Sequence, residues 1–361
     1  MRESVSIATK RLPAQWEPHS CTYLSWPYHD TIWGVKHHDV IKEIATIAAL
    51  IQHSEVLHIG VPNQLWRDQA AQAIDQAGGA AEEVCWHQVE SNDLWARDHG
   101  PMIVNNELDS QPELVHWRFD GWGGQYPHES DDRISWTLNN AWRLPDGEPG
   151  FTLEGGAIDT NGCGDLLVTE SVVLDPRRNA MVTKQSAERT LQTWLGVQRV
   201  HWLDGPLRGD DTGGHVDTLA RFVSPETIVA SRAPANHPDC KVLADNLRRL
   251  QHARLRGGRA PSVVEVPVPE LVRAESGEIL PASYLNFFIT NTHCLIPAFG
   301  QPRRDELARS IIESSVGRPA LSVMCRTLLT QFGGLHCVTR DLPASLDLWL
   351  KDQGLANALP W

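Results

Sequence analysis

Apolar and polar residues alternate along the chain with two periods, one typical of helices and one of strands. Five segments with helical spacing are each followed by a short apolar run of the length of a strand. The paired segments are 40–51 and 55–61, 64–77 and 82–89, 182–195 and 197–203, 240–255 and 262–268, and 303–315 and 318–324. Five helix-then-strand units predict an α/β architecture.

One segment between these units has the pattern of a β-hairpin. Residues 157–170 read AIDTNGCGDLLVTE, in which Asn161-Gly162 is a favoured two-residue turn between apolar runs. The chain lacks the GxGxxG motif of a doubly wound dinucleotide-binding sheet, so that fold is not expected. No convincing Pro/Gly/Ser-rich linker divides the sequence, and we expect one domain over residues 1–361.

Charge and hydropathy narrow the classes of partner. The 361 residues carry a formal net charge of −13, which suits a cationic ligand and disfavours nucleic acid or an acidic membrane surface. The longest helix-like apolar run, 44–51, is too short to span a membrane, and no apolar signal segment stands near the N-terminus. We therefore expect a soluble cytoplasmic protein, with a homo-oligomer left open as its state of assembly.

The seven cysteines do not form a recognisable framework. Their odd number and the lack of CxxC pairs argue against disulfides and against a zinc site, and no HExxH motif is present. We expect reduced thiols and no metal. Cys294 leads into the apolar run LIPAF, which predicts a structural role in a buried strand.

Four segments combine glycine with a functional group at the end of an apolar run. They read WARDHGP at 95–101, LEGGAID at 153–159, DDTGGHVD at 210–217 and GGLHCVT at 333–339. Glycine permits close approach of the backbone to a ligand, although each segment alone is also compatible with an ordinary turn. Their wide spacing suits loops from several units that converge on one centre.

Together these segments supply a thiol, an imidazole and several carboxylates. Cys337 with His215 is the minimum set for nucleophilic catalysis in which a histidine moves protons. The accompanying acids are Asp98, Glu154, Asp211 and Asp217. So many acids raise the pKa of a neighbouring thiol and oppose thiolate formation unless a bound cation offsets them. A guanidinium is planar and always protonated, so two carboxylates can grip it and hold its carbon beneath the sulfur.

This set of motifs resembles the agmatine deiminase family, relatives of bacterial peptidylarginine deiminase within the guanidine-modifying superfamily. The resemblance covers nearly the whole chain in order: RLPAQWEPHSCTYLSWP at 11–27, the four segments above, TESVVLDPRRN at 169–179, ASYLNFFITN at 282–291 and IPAFG at 296–300. It implies a pentein fold, which is a five-bladed α/β-propeller of ββαβ-like units around a central active site.

The resemblance also implies a role for each candidate residue. Cys337 is the expected nucleophile, and His215 is the expected acid and base. Asp98 and Asp217 are the expected clamps of the guanidinium, and Glu154 is expected to hold a guanidinium nitrogen and to assist proton transfer. Trp95 is expected to form a wall of the pocket, and Asp211 is expected to face a distal amine. No cofactor and no metal are implied.

The implied reaction is hydrolysis of agmatine to N-carbamoylputrescine and ammonia, a step of polyamine synthesis, through a covalent S-alkylthiouronium on Cys337. The chain departs from the family pattern at five positions: Gln125 for lysine, Asp211 for glutamate, Phe332 for glycine, and Arg340 and Asp341 for glutamines. Because Arg340 would suit a substrate carboxylate that agmatine lacks, free arginine, peptidyl-arginine and related guanidines stay open as substrates.

Two other classes of protein also stay open. A Cys-His-Asp amidase or peptidase would use the same thiol and imidazole, but it offers no reason for the surplus carboxylates. A non-catalytic binding protein with this fold would be expected to lack the nucleophile or the base. The chain has both Cys337 and His215.

Overall fold

The computed structural model describes residues 10–355. The predicted domain limits at 1 and 361 lie outside the described residues. The strands are β1 (Lys10–Arg11), β2 (His19–Ser25), β3 (Val56–Val61), β4 (Cys85–Gln88), β5 (Met102–Asn106), β6 (Pro112–Val115), β7 (Asp146–Gly147), β8 (Ile158–Thr160), β9 (Asp165–Thr169) and β10 (Arg199–Leu203). They continue with β11 (Ala220–Ser224), β12 (Thr227–Arg232), β13 (Ser262–Pro267), β14 (Val272–Arg273), β15 (Ile279–Leu280), β16 (Phe288–Ile289), β17 (Cys294–Ala298), β18 (Ala320–Met324) and β19 (Arg340–Pro343).

Helices connect most of these strands. They are α1 (Asp30–Trp33), α2 (His37–Gln52), α3 (Gln64–Gln76), α4 (Ala96–His99), α5 (Gly121–Gly124), α6 (Ile134–Trp142), α7 (Glu170–Val173), α8 (Lys184–Leu195), α9 (Cys240–His252), α10 (Pro302–Val316), α11 (Arg326–Leu329) and α12 (Ala344–Asp352). Short 3-10 helices span Gly34–Lys36, Ala81–Glu83, Asp131–Arg133, Gly155–Ala157 and Val216–Thr218. The predicted α/β class is confirmed.

The strands of the described chain form five mixed sheets and one two-stranded ribbon. The sheet orders are β1-β5-β6-β7, β10-β9-β8, β11-β12-β13, β16-β17-β18 and β19-β2-β3-β4, and the ribbon is β14-β15. In three sheets an antiparallel hairpin is followed by a long helix and a third strand parallel to the second, as in β8-β9-α8-β10, β11-β12-α9-β13 and β16-β17-α10-β18. Each of these is a ββαβ unit.

The five helix-then-strand pairs predicted from the sequence do not correspond one to one with the five sheets. The first two pairs lie in a single sheet, where α2 and α3 connect the parallel strands β2, β3 and β4. The sheet β1-β5-β6-β7 contains none of the five predicted pairs, and its helix α6 and strand β7 were not predicted from the apolar pattern. Strand β7 is only two residues long, too short to show periodicity.

The predicted hairpin is present, but its turn is longer than predicted. Strands β8 and β9 pair antiparallel, and the loop between them is residues 161–164 rather than two residues. The side chain of Asn161 accepts hydrogen bonds from the backbone N–H groups of Cys163 and Asp165, and therefore closes a wider loop.

Apolar helix faces cover the sheets. In α2, Val40, Ile44, Ile47 and Ile51 recur at helical spacing and are buried against β3. All seven cysteines are free thiols, and Cys294 lies fully buried in β17, so its predicted structural role is confirmed. Among residues 10–355, no helix combines the length and the apolar character needed to cross a bilayer.

A buried arginine links distant parts of the chain. Arg221 in β11 is 1% exposed and pairs with Asp159. Its guanidinium also donates to the carbonyl oxygens of Leu285 and Phe287 and to Oε1 of Gln15. One side chain therefore joins the N-terminal segment to three of the sheets.

We expect Arg221→Met to lower the free energy of unfolding by about 3–5 kcal/mol, because the change leaves the buried carboxylate of Asp159 uncompensated. Urea denaturation followed by circular dichroism measures the loss. Arg232→Met is the matched control on β12, since Arg232 is exposed, and it should change stability by less than about 0.5 kcal/mol. Equal effects of the two substitutions would contradict the proposed role of Arg221.

Candidate active site

The candidate residues occupy equivalent places in the sheets. Each lies in the segment that precedes the first strand of an antiparallel pair: Asp98 before β5, Glu154 before β8, Asp217 before β11 and Cys337 before β19. Sequence reasoning missed Asn286, which stands in the same place before β16. The recurring position of the other four was the signal that could have found it.

Six of the seven predicted site residues line one cavity of about 570 Å3. They are Trp95, Asp98, Asp211, His215, Asp217 and Cys337. Glu154 is the exception, because it lies behind this cavity rather than in its wall. The four sequence segments chosen for their chemistry therefore do converge on one region of the molecule.

The thiol of Cys337 faces an amide and a carboxyl group. Its Sγ lies 3.2 Å from Nδ2 of Asn286 and 3.9 Å from Oδ2 of Asp217. Nδ2 of Asn286 also donates to Oδ2 of Asp217, at 3.1 Å. The backbone N–H of His336 donates to Oδ1 of Asn286, at 2.9 Å, so the amide of Asn286 holds the cysteine segment against the acid.

A chain of hydrogen bonds fixes the tautomer of His336. Arg221 donates to Oε1 of Gln15, which leaves Nε2 of Gln15 to donate to Nε2 of His336, at 3.0 Å. The proton of His336 must then be on Nδ1, which donates to Oδ2 of Asp217, at 2.7 Å. Burial lowers the pKa of His336 well below its usual value, so the ring is neutral. Oδ1 of Asp217 has no hydrogen-bond partner among residues 10–355 and remains for a ligand.

Asp98 is held by two neutral donors. Oδ1 accepts from the N–H of Gly156 and Oδ2 from Nε1 of Trp122, both at 3.0 Å. Nδ1 of His215 lies 3.6 Å from Oδ1 of Asp98, beyond a hydrogen bond, and neither ring nitrogen of His215 has a hydrogen-bond partner in the described chain. A Cβ at Gly156 would meet both Asp98 and His215, so only glycine fits there.

Glu154 is paired with an arginine that sequence reasoning did not single out. Nε of Arg178 donates to Oε1 of Glu154 at 2.6 Å, and both side chains are fully buried. Arg178 also contacts Asp175, at 3.0 Å, and the carbonyl oxygen of Thr212. Oε2 of Glu154 has no hydrogen-bond partner among the described residues. The negative charge of Glu154 favours protonation of His215, so the two groups are electrostatic neighbours.

Burial shifts the pKa values of the titratable groups around the cavity in the direction that favours their neutral forms. It raises the pKa of Asp98 to about 6 and, with Asp98 as the next cause, the pKa of Asp217 to about 8. It lowers the pKa of His215 to about 4. Burial, followed by the charges of Asp217 and Asp98, raises the pKa of Cys337 well above its usual value. At neutral pH Asp217 is therefore mostly protonated, whereas Asp98 is mostly ionised, and a bound cation would favour the ionised form of both acids.

The outer part of the cavity is also acidic. Burial raises the pKa of Asp211 to about 7, and its Oδ2 accepts from the hydroxyl of Tyr126 at 3.0 Å. Gln125 donates to the carbonyl oxygen of Asp211, at 3.0 Å. Within the described chain, no lysine or arginine lines this cavity.

The structure corrects the expectation for Arg340. Its side chain does not face the cavity of Cys337, and lines a separate cavity on the other side of the 336–341 segment. The reason is that β19 begins at Arg340, and its pairing with β2 directs this side chain away from the thiol. Arg340 is therefore not placed to meet a substrate carboxylate near Cys337.

The cysteine segment depends on small residues and contains one strained residue. A Cβ at Gly333 would overlap the ring of Trp95, and a Cβ at Gly334 would meet Asn286. Phe332, where the family pattern has glycine, adopts a φ of 65°, in the left-handed region that favours glycine. Strained backbone of this kind concentrates at ligand sites, and Phe332 lines the cavity.

A comparison with protein families gives a match over most of the chain. The family model described as Porphyromonas-type peptidyl-arginine deiminase matches residues 11–343. The chain belongs to this family. The kinship suggested by the sequence motifs is therefore confirmed.

Several known proteins are similar to this chain over nearly their whole length. A protein of Latilactobacillus sakei provisionally named an agmatine deiminase is 29% identical, over 92% of this chain and 96% of its own. The solved structure of an agmatine deiminase from Enterococcus faecalis aligns with a TM-score of 0.85 at 25% identity, over 93% and 96% of the two chains. A Porphyromonas gingivalis protein provisionally named an arginine deiminase aligns with a TM-score of 0.85 at 32% identity, over 93% and 99%.

We expect Asp98→Asn to lower the pKa of the Cys337 thiol in this deiminase-family chain. The carboxylate of Asp98 is ionised above about pH 6 and opposes the thiolate, whereas asparagine is neutral. Alkylation of Cys337 by iodoacetamide at pH 8, followed by peptide mass spectrometry, should become about tenfold faster, which corresponds to one pKa unit.

Two comparisons control this measurement. Asp347→Asn removes the same charge from the exposed face of α12 and should leave the rate at Cys337 unchanged. The exposed thiol of Cys163 reports the reagent concentration in each sample. An unchanged alkylation rate in Asp98→Asn would contradict the electrostatic control of the thiol.

Proposed function

We propose that this chain is a hydrolase that deiminates a guanidino compound, with agmatine as its substrate. The observation that carries the proposal is the position of the Cys337 thiol beside buried acids in a cavity that, in the described chain, no lysine or arginine lines. Asp217, whose pKa is about 8, is mostly protonated when the cavity is empty, and a bound cation would ionise it and stabilise the charge that Asp98 already carries. The deiminases among its relatives support the same reaction.

Asp98 and Asp217 are the proposed clamps of the guanidinium. A guanidinium carries five N–H donors in a plane, and opposed carboxylates can accept from its edges. Oδ1 of Asp217 is free to accept because His336 and Asn286 both donate to Oδ2. The positive charge of the substrate lowers the pKa of both acids and of the thiol, so binding itself ionises the site.

In the first half of the reaction, Cys337 attacks the central carbon of the guanidinium. His215 is neutral at pH 7 and carries a ring nitrogen without a hydrogen bond among residues 10–355, so it can take the thiol proton. The protonated His215 then gives that proton to the departing nitrogen, and ammonia leaves as the C–N bond breaks. A positively charged S-alkylthiouronium remains on Cys337.

In the second half, His215 removes a proton from water, and the oxygen attacks the thiouronium carbon. As the C–S bond breaks, the proton of the new hydroxyl group passes to the sulfur, which restores the Cys337 thiol, and a neutral ureido product leaves. His215 then releases its proton to solvent, where ammonia takes up one proton to become ammonium. We propose that Glu154 stabilises the protonated form of His215 from behind, since its charge raises the pKa of that histidine. Arg178 holds Glu154 in place. Trp95 forms a flat wall of the pocket for the planar headgroup.

The outer cavity favours agmatine over free arginine. Asp211 would face the distal ammonium of agmatine and would ionise on contact with it. The α-carboxylate of free arginine would enter an acidic surrounding in which, among residues 10–355, no cationic side chain lines the wall. Deimination of a peptidyl-arginine is the second candidate, and the name of the matching family supports it.

An amidase or peptidase fits the site less well. Those enzymes attack neutral acyl groups with a thiol whose pKa is lowered by a histidine or a helix terminus. Here burial, Asp217 and Asp98 raise the pKa of Cys337 instead. A neutral substrate would give the thiol no charge to offset these acids.

The proposed function also includes a proposal for how the five sheets are arranged around the active site. We infer a single domain in which five units form an α/β-propeller around the active site. The support is that every mixed sheet contributes one residue from the same place, before the first strand of an antiparallel pair. Those residues are Asp98, Glu154, Asp217, Asn286 and Cys337.

Cys337→Ser should lower the turnover of agmatine at least about 1,000-fold, because a serine hydroxyl is a much weaker nucleophile without an activated base. Ammonia release is measured on agmatine, free arginine and a blocked arginyl peptide. Cys163→Ser is the control, since Cys163 is an exposed thiol outside the cavity. Undiminished turnover in Cys337→Ser would contradict the mechanism, and activity on the peptide but not on agmatine would reassign the substrate.

Asp211→Asn should raise the KM for agmatine about tenfold, the loss of about 1.4 kcal/mol of attraction to the distal ammonium. The KM for butylguanidine, which keeps the four-carbon chain and lacks the amine, should stay unchanged. Initial rates of ammonia release with both substrates separate a tail contact from a general defect. Equal increases in KM for the two substrates would show that Asp211 does not bind the distal amine of agmatine.

A further inference from the structure

A second cavity of about 630 Å3 lies on the opposite side of the 336–341 segment. It shares no lining residue with the cavity of Cys337. Its walls come from the N-terminal segment, α4, β5, β8 and β19, and they carry Arg97, Arg221, His336 and Arg340. The wall of the second cavity also carries Glu17, Asp159 and Asp341, so arginines and carboxylates are mixed there, whereas no lysine or arginine of the described chain lines the first cavity.

The second cavity has one buried cation without a counter-ion. Arg340 is 6% exposed, and its Nε donates to the carbonyl oxygen of Pro101 at 2.8 Å. Within the described chain, neither Nη atom of Arg340 makes a hydrogen bond and its guanidinium makes no direct ion pair, and the charges of Asp341 and Asp98 favour its protonated form from a longer distance. Four of its five N–H groups are therefore uncommitted.

The other charges in this wall are matched in pairs. Arg97 contacts Asp341 at 2.8 Å, and Arg221 contacts Asp159. His19 contacts Glu55 at 3.2 Å, and Arg11 contacts Glu17 at 2.6 Å. No carboxylate is thus left over for Arg340 among the described residues of this wall.

Arg340 remains a cation in this position. Burial, and next the charge of Arg97, lowers its pKa to about 9, which still leaves it protonated at pH 7. A buried charge is costly unless it is paired. The side chain is also confined, because the space for a Cβ at Gly100 and at Gly155 is filled by Arg340 and the backbone of α4.

We propose that this second cavity is an anion site in which Nη1 and Nη2 of Arg340 bind a small monovalent carboxylate. The Nη donors of Arg340 have no partner among the described residues, and the planar fork of a guanidinium matches a carboxylate through two parallel hydrogen bonds. Nη1 of Arg97 makes no hydrogen bond among residues 10–355 and lies in the same wall, so it provides a further donor.

Formate is the probe, and its binding is measured by the shift of the thermal unfolding midpoint. Sodium formate should raise the Tm of the unmodified chain saturably, by about 2 °C at a concentration tenfold above Kd. Arg340→Gln removes the cation and should abolish the shift, and without formate it should be no less stable than the unmodified chain. Arg303→Gln removes the same charge at an exposed site and should keep the shift.

A direct measurement is made on crystals of the unmodified chain soaked in bromide. An anomalous peak at the guanidinium of Arg340 supports the site even if Arg340→Gln does not fold. No formate shift in the unmodified chain, or an equal shift in Arg340→Gln, would overturn the proposal, as would water alone at Arg340 in crystals soaked with formate and with bromide. The binding experiment also works on Cys337→Ser protein, so it does not depend on the deimination chemistry.

Discussion

The free-energy cost of burying charged side chains is the main constraint on the candidate active site of this protein. Several carboxyl groups are taken out of water around one thiol, and each must either stay protonated or find a positive partner. Glu154 has its partner within the chain, since Arg178 contacts it in a fully buried pair. Burial raises the pKa of Glu154 even so, and it raises the pKa values of Asp98 and Asp217, which have only neutral donors, to about 6 and about 8. The protein supplies a cation for Glu154, whereas a bound cation would complete the ionisation of Asp217 at neutral pH.

The repeated ββαβ pattern explains how residues far apart in the sequence reach one place. A segment that leads into a strand of an antiparallel pair is anchored by that strand, so its last residues are held with the rigidity of a sheet. Asp98, Asp217 and Cys337 all stand there, and Asn286 bridges the last two. The hydrogen-bond chain from Arg221 through Gln15 and His336 then orients Asp217 from behind.

Much of this could be predicted from the sequence, and the exceptions have physical reasons. Long amphipathic helices such as α2 and glycine-rich segments with a functional group leave a local signal. Strand β7 is too short to leave one. The pairing of Arg178 with Glu154 depends on how the 154 and 178 segments meet in space, which no local pattern encodes. The direction of Arg340 depends on the register of β19 against β2, in which Arg340 lies opposite Tyr23.

The 336–341 segment separates two cavities with different charged groups. Cys337 faces the acidic cavity, whereas His336, Arg340 and Asp341 face the second cavity, whose wall carries both arginines and carboxylates. Under the proposed function, a cationic substrate is stabilised on the acidic side, whereas a substrate with a carboxylate would need a cation there, and the side chain of Arg340 points to the other side. We propose that selection for a guanidine without a carboxylate follows from which way the side chains of this short segment point, and not from the thiol chemistry.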